Sequence, residues 1–78
     1  MSWTKKAPAR QGVYHVRLRE GGRTHRETVY LYRKEDGEID VARRLGSRWV
    51  LYPNVEAFVG ENPSVLWRGP VTMAKEDA

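Results

Sequence analysis

The sequence predicts a mainly β domain, an antiparallel meander of four to five strands with one short helical turn. Between residues 12 and 52, β-branched and aromatic residues alternate with polar ones, a pattern typical of strands. Glycine-containing dipeptides interrupt this pattern at Gly21-Gly22, Asp36-Gly37 and Gly46-Ser47, and such dipeptides are typical of tight turns. The helical period is weak throughout. We therefore expect a single sheet, either curled or closed into a small open barrel.

The three turns divide this region into four strands. They are predicted over residues 13–19, 28–33, 38–43 and 48–52. Pro53 ends the fourth strand. Residues 54–60 predict one helical turn near the end of the chain, with Asn54 as its cap and Gly60 as its stop. Val65-Leu66-Trp67 predicts a short fifth strand, which we expect to end at Arg68-Gly69-Pro70.

The turns also predict the strand register. Gly21-Gly22 and Gly46-Ser47 suit two-residue loops. Glu35-Asp36-Gly37 suits a three-residue loop with Gly37 left-handed in a bulge, because a two-residue loop would place Asp40 on an apolar face.

With this register the sheet has two different faces. The face predicted to form the core, called the core face, carries Tyr14, Val16, Leu18, Val29, Leu31, Ile39, Val41, Val50 and Tyr52. The opposite face, called the basic-aromatic face, carries His15, Arg17, Arg26, Thr28, Tyr30, Tyr32, Ala42, Arg44, Trp49 and Leu51. Two alternatives are open for the second of these: apolar side chains of residues 55–67 cover it, or it is exposed and binds a partner.

The chain of 78 residues is short enough for one domain, predicted over residues 10–71. We expect residues 1–9, apart from Trp3, and residues 72–78 to be flexible termini. The absence of cysteine excludes disulfides and thiolate metal sites. No apolar run approaches the ~20 residues of a membrane span, and no secretory signal opens the chain. We therefore expect a cytoplasmic protein without a membrane partner.

Basic residues are concentrated at the start of a chain whose net charge is +4. Residues 1–26 carry seven Lys or Arg against one Glu, whereas residues 53–78 carry more acidic than basic residues. A basic half attracts polyanions such as nucleic acid. It is also ordinary for a small domain to carry solubilising surface charge.

Catalytic patterns are missing, so we expect no enzyme activity and no cofactor. The two histidines, His15 and His25, fall on opposite faces of the first hairpin, which argues against a shared metal ion or proton relay. The serines lie in turns or near the N-terminus, without a nucleophile-elbow motif. The acidic residues of the second hairpin surround an open turn, where solvated charge is the simpler interpretation.

The candidate binding site is the basic-aromatic face. Its aromatic and basic side chains together are typical of a platform that stacks bases and neutralises phosphates. The six candidate residues are Arg17, Arg26, Tyr30, Tyr32, Arg44 and Trp49. No RNA-binding consensus run accompanies them.

Three segments together resemble a group of small uncharacterised β-rich proteins encoded by phages and prophages. They are the run from Gln11 to Arg17, the hairpin around Asp36-Gly37, and the run from Leu66 to Val71. Members of that group open with a Pro-Gly-x-Tyr-x-Val-type strand and close with Trp-x-Gly-Pro, although here Gln11 stands in place of the proline. The resemblance implies an accessory protein that binds a host or phage macromolecule. It carries over no functional residues.

These observations rank three kinds of function. The first is a small binding module that occupies a protein surface, for example an inhibitor of a host complex that acts in the host cytoplasm if the protein is phage-derived. The second is a nucleic-acid-binding module that uses the basic-aromatic face. The third is a structural or assembly homodimer formed through an edge strand, since an open meander has two unpaired edges.

Overall fold

The computed structural model describes residues 3–71 and confirms the predicted fold class. Five antiparallel strands form one open sheet, and a short helix joins the last two strands. The elements are β1 (Gly12–Glu20), β2 (Arg23–Arg33), β3 (Ile39–Leu45), β4 (Arg48–Tyr52), α1 (Val55–Glu61) and β5 (Leu66–Val71). Within the described range, no helix is long and apolar enough to cross a bilayer.

The three turns of the meander have the predicted lengths. In the second hairpin, the conformation of Gly37 and one hydrogen bond account for the length of the loop. Gly37 has a φ of +90°, which a residue with a side chain rarely adopts. The loop is closed where the Lys34 N–H donates to the Glu38 carbonyl at 2.8 Å, so three residues lie between the paired ends. Residues 21–22 and 46–47 form two-residue loops. The predicted register of the four-strand meander is therefore confirmed.

The sheet order is β4-β3-β2-β1-β5, so the chain crosses from one edge of the sheet to the other between its last two strands. The helix α1 makes this crossing over β3 and β4. Its cap is the predicted one, because Asn54 Oδ1 accepts a hydrogen bond from the Ala57 N–H at 2.7 Å. Gly60 is not its stop. The helix continues through Glu61 to Asn62, whose backbone N–H donates to the Phe58 and Val59 carbonyls.

The core lies between the core face and the C-terminal third of the chain. Every residue predicted for the core face is buried except Val50, which is half-buried. Phe58, Val65 and Trp67 are also buried and belong to the same cluster. The alternative in which residues 55–67 cover the basic-aromatic face is thus wrong, because these side chains cover the core face. The physical reason is the pairing of β5 with β1, which places Trp67 directly beside Val16.

Strand β5 continues through the predicted stop at residues 68–70 and ends at Val71. Gly69 permits this continuation. It has a φ of +145°, and a Cβ atom at that position would lie 2.9 Å from the Tyr14 ring. The register between β1 and β5 shifts between Val13 and His15. The glycine therefore lets the strand pass close to the ring while it pairs with β1.

The segment before β1 is attached to the free edge of β5. Thr4 and Trp67 exchange two backbone hydrogen bonds, of 2.9 and 2.7 Å, and Ala7 packs against the core. These contacts involve residues that precede residue 10, the predicted start of the domain. The predicted tail at residues 72–78 lies outside the described residues.

Candidate binding face

The basic-aromatic face is exposed along the meander. The exposed fractions are 36% for Tyr30, 66% for Tyr32, 51% for Trp49 and 68% for Leu51. The helix and the buried side chains of β5 lie on the other side of the sheet, so they cannot shield these four residues. A contiguous exposed group of this kind is a usual sign of an interaction surface.

One part of this face, the aromatic half, lies on β2, β3 and β4 and consists of Tyr30, Tyr32, Ala42, Arg44, Trp49 and Leu51. Tyr30 and Trp49 meet edge to face, with ring centroids 5.5 Å apart. Ala42 pairs with Tyr30 on one side and Leu51 on the other, so its small side chain separates the larger groups. The Arg44 guanidinium lies 5.7 Å from the Trp49 ring centroid, and its Nε donates to the Gly46 carbonyl.

The other part, the basic half, lies on β1, β2 and β5 with the segment before β1, and consists of Trp3, His15, Arg17, Arg26 and Arg68. Arg17 and Arg26 are directly opposite each other across β1 and β2, and Arg68 lies beside His15 across β1 and β5. Among residues 3–71, no carboxylate lies within salt-bridge distance of these three arginines. Within this part of the chain, the positive charge of the basic half therefore has no salt-bridge partner.

Trp3 organises the basic half. The Arg68 guanidinium lies 4.6 Å from the Trp3 ring centroid and that of Arg17 lies 5.8 Å from it, distances at which cations are attracted to aromatic rings. Trp3 is held close to β5 because the next residue, Thr4, is hydrogen-bonded to Trp67. Sequence reasoning left Trp3 and Arg68 out of the site. Alternation after the buried Trp67 could have indicated Arg68, but no sequence signal linked Trp3 to β5.

The structure brings the six predicted site residues onto one face but divides them between its two halves. Arg17 and Arg26 belong to the basic half, and the other four belong to the aromatic half. Tyr32 lies opposite Asp40 on β3. That carboxylate is paired with Lys34 Nζ at 3.0 Å, so its charge is already compensated.

A second polar cluster, which the sequence did not indicate, lies on the core face. Arg43 is buried and donates to Glu27 through Nε and Nη2, at 2.7 and 3.0 Å, and to Glu20 at 3.1 Å. His25 Nε2 lies 2.7 Å from Glu27 and 3.2 Å from Glu20. The hydrogen bond from Arg43 holds the pKa of Glu27 below its ordinary value, with burial opposing and His25 adding to the effect. The same bond raises the pKa of Arg43, so the pair is ionised at neutral pH.

This cluster contains three groups of the kinds that bind metal ions. Ligand atoms of Glu20, His25 and Glu27 lie within 4.8 Å of one another. However, Arg43 already donates to both carboxylates and supplies the compensating charge. We interpret the cluster as an ion-pair network that lets the sheet bury an arginine.

The histidines lie where the register placed them. His15 belongs to the basic-aromatic face and contacts Thr28, with 3.3 Å between Nδ1 and Oγ1. His25 belongs to the core face and contacts the two glutamates. The two rings are therefore on opposite sides of the sheet and do not act on one ligand.

A groove lies between the segment before β1 and the edge strand β5. Its lining includes Lys6, Arg10 and Arg68 around Tyr14 and Trp67. Two more cations thus lie near the edge of the sheet that carries the basic half, extending its positive potential.

The candidate site of this chain is thus one exposed sheet face that has an aromatic half and a basic half. No protein-family model matches the chain, and no curated protein or solved structure is similar enough to it to be a relative.

Proposed function

We propose that this chain is a non-catalytic binding module, and that its basic-aromatic face binds a negatively charged macromolecule. The observation that carries the proposal is the pairing of exposed aromatic rings with arginines that have no acidic partner among residues 3–71. Trp, Tyr and Arg are the residue types most enriched in binding surfaces. The resemblance of three segments, residues 11–17, the hairpin around Asp36-Gly37 and residues 66–71, to small phage-encoded proteins also favours a binding role.

The arginines argue for an anionic partner. Like charges directly opposite each other in a sheet are destabilising, and Arg17 and Arg26 have this arrangement. Elsewhere the chain compensates its buried arginine: Arg43 has two glutamates. An anion that contacts both arginines of the basic half would remove their repulsion, so binding would relieve a cost already present in the free protein.

A second candidate is a protein partner, such as a host complex that the module inhibits. The edge strand β4 favours it, because among the described residues β4 pairs only with β3, and one row of its backbone donors and acceptors has no strand partner there. Trp49 and Leu51 are exposed on the same strand. A strand from another protein, or from a second copy of this chain, would pair with such an edge and pack on these side chains.

Affinity capture from a cell lysate, with and without nuclease, tests the proposal. The test variant is Arg17→Glu with Arg26→Glu. The matched control is Arg23→Glu with Arg48→Glu, which makes the same charge change at exposed positions off the basic-aromatic face. We expect the test variant to lose the captured partner while the control retains it. Equal capture by the two variants would show that the partner binds elsewhere.

A further inference from the structure

The occupant of the basic-aromatic face follows from its division into halves. We propose that it is single-stranded nucleic acid, with phosphates on the basic half and bases stacked on the aromatic half. This inference rests on the proposed function, because it assumes that the face is the binding surface. It adds the chemical class of the partner and the direction in which the strand is oriented, with its backbone toward β5 and its bases toward β4.

The basic half has donors arranged as two adjoining phosphate sites. One shallow groove is bordered by Arg17, Arg26 and Thr24 with Trp3 and His25, and the next by Arg26, Arg68 and Thr28 with His15 and Glu27. The Glu27 carboxylate is paired with Arg43 on the core face. Arg26 therefore borders both grooves. Guanidinium groups bind phosphate oxygens through parallel N–H donors, and threonine hydroxyls add a further donor. Two successive phosphates of one strand would occupy adjoining grooves of this kind.

Trp3 prepares this half for an anion. Its ring lies against the guanidinium groups of Arg17 and Arg68, which restricts both side chains before any ligand binds. Restricting rotamer-rich side chains in advance lowers the entropy lost on binding. The hydrogen bonds between Thr4 and Trp67 fix the backbone next to Trp3, so the arrangement belongs to the fold and not to a loose terminus.

The aromatic half presents rings that a base can stack on. Tyr30 and Trp49 already contact each other at an angle of 64°, so their exposed surfaces form a corner between the two rings. Tyr32 extends the row along β2, next but one to Tyr30. Sheets that bind single-stranded RNA stack two or three bases on aromatic side chains in this manner. The sequence of the bases matters little to such stacking, because every base has a π face.

Single strands fit this face better than duplexes do. In a duplex the bases are stacked on one another, so exposed tyrosine and tryptophan rings would find no free base face. The basic half alone would then bind the duplex, through phosphates only. An acidic protein surface would likewise use the basic half without a stacking role for Trp49.

The test is a titration of fluorescently labelled oligothymidylate, and of a DNA duplex of equal length, at two salt concentrations. We expect the single strand to bind at least about tenfold more tightly than the duplex. Three arginine–phosphate contacts predict a slope of log K against log salt of roughly −2, at about 0.7 per contact for single strands. Arg26→Ala removes one of these contacts and should reduce the magnitude of that slope by about 0.7. The control Arg23→Ala, at an exposed position of the opposite face, should change affinity much less.

Stacking has its own readout. Oligothymidylate should quench the fluorescence of Trp49. The chain has three tryptophans, so the part of the quenching that is absent in Trp49→Phe is the part due to this ring. Arg26→Glu serves as a folding control. Because it replaces a like-charged pair with an opposite-charged one across β1 and β2, its melting temperature should equal or exceed that of wild type while oligothymidylate binding falls.

The outcomes separate this inference from the proposed function. Equal affinity for the single strand and the duplex, without a change in Trp49 fluorescence, would overturn the stacking inference and leave the anionic binding face in place. Binding of polyglutamate but of neither nucleic acid, lost in Arg26→Glu, would assign the face to an acidic protein instead. Binding of no polyanion at low salt would overturn both proposals.

Discussion

Replacing Arg43 by methionine should destabilise the fold more than any change at an exposed arginine. Methionine keeps the unbranched apolar stem but removes the guanidinium, which donates to Glu27 and Glu20. Glu27 would then remain half-buried on the core face beside His25 and a second carboxylate, that of Glu20. A carboxylate left without its partner in such a place is costly, because water solvates it poorly.

The size of the effect follows from the burial of each partner. The Arg43 side chain is 6% exposed and that of Glu27 is 16% exposed, whereas that of Glu20 is 48% exposed. Breaking a buried pair by removing one partner costs about 3–5 kcal/mol, and an exposed pair contributes about 0–1 kcal/mol. We therefore expect Arg43→Met to lower the free energy of unfolding by about 3 kcal/mol, nearly all of it from the contact with Glu27.

Urea unfolding at neutral pH, followed by circular dichroism, measures this loss. The matched control is Arg48→Met, whose side chain is exposed and which should change stability by no more than about 0.5 kcal/mol. Adding Glu27→Gln to Arg43→Met should restore part of the loss, since the more deeply buried of the two carboxylates is then uncharged. A loss below about 1 kcal/mol for Arg43→Met would refute the interpretation that the fold depends on this ion pair.

The same contact predicts how stability depends on pH. Arg43 lowers the pKa of Glu27 in the folded protein from its ordinary 4.5. A lowered carboxyl pKa gives stability that is present above the unfolded value and is lost as the pH falls through the folded value. Wild type should therefore lose more stability below about pH 4.5 than Arg43→Met does, which thermal melts over this acidic range would measure. Parallel curves for the two proteins would contradict the assignment.

Three further changes test the fold. Leu31→Ala should cost about 2–5 kcal/mol in urea unfolding because that side chain is buried, and a loss under about 0.5 kcal/mol would refute the register. Gly37→Val should lower the melting temperature more than Glu38→Val, since Gly37 has a positive φ and Glu38 does not. Equal shifts in melting temperature would contradict the three-residue loop. Trp67→Ala should cost about 3–5 kcal/mol and the exposed Trp49→Ala much less, so similar losses would show that the two tryptophans are not on differently buried faces.

Local chemistry explains why the meander was predictable. Two turns have lengths that follow from their glycine-containing dipeptides, and the length of the third follows from keeping Asp40 off the apolar face. The alternation of side chains in a strand then assigns residues to a face. One misaligned turn would have placed Asp40 on the core face. In the structure Leu31 instead pairs with Val41, as the three-residue loop requires.

The position of the C-terminal third was not predictable in this way. Phe58 and Trp67 are apolar residues that would suit either side of the sheet. The side of the sheet on which they pack depends on the pairing of β5 with β1. That pairing joins distant parts of the chain, and no local pattern specifies it. The same contact placed Arg68 on the basic-aromatic face and brought Trp3 to it, which is why sequence reasoning found only part of the candidate site.

The ion pair on the core face had a signal that was overlooked. Arg43 follows Val41 by two residues, so alternation places it on the core face, and Glu27 precedes Val29 by two on the neighbouring strand. Neither side chain was assigned to a face from the sequence. Opposite charges at neighbouring core-face positions would have indicated a buried pair.

The order of the strands has a consequence for how the chain folds. The three hairpins of the meander join neighbours in sequence and can form early, but the pairing of β1 with β5 must bring together the two ends of the domain. Pairing across such a distance slows folding, because the intervening chain loses entropy before the contact is gained. Until β5 arrives, the core face lacks Val65 and Trp67 and presents its apolar side chains to water. The core face is therefore complete only after β5, the last strand of the sheet in chain order, has paired with β1.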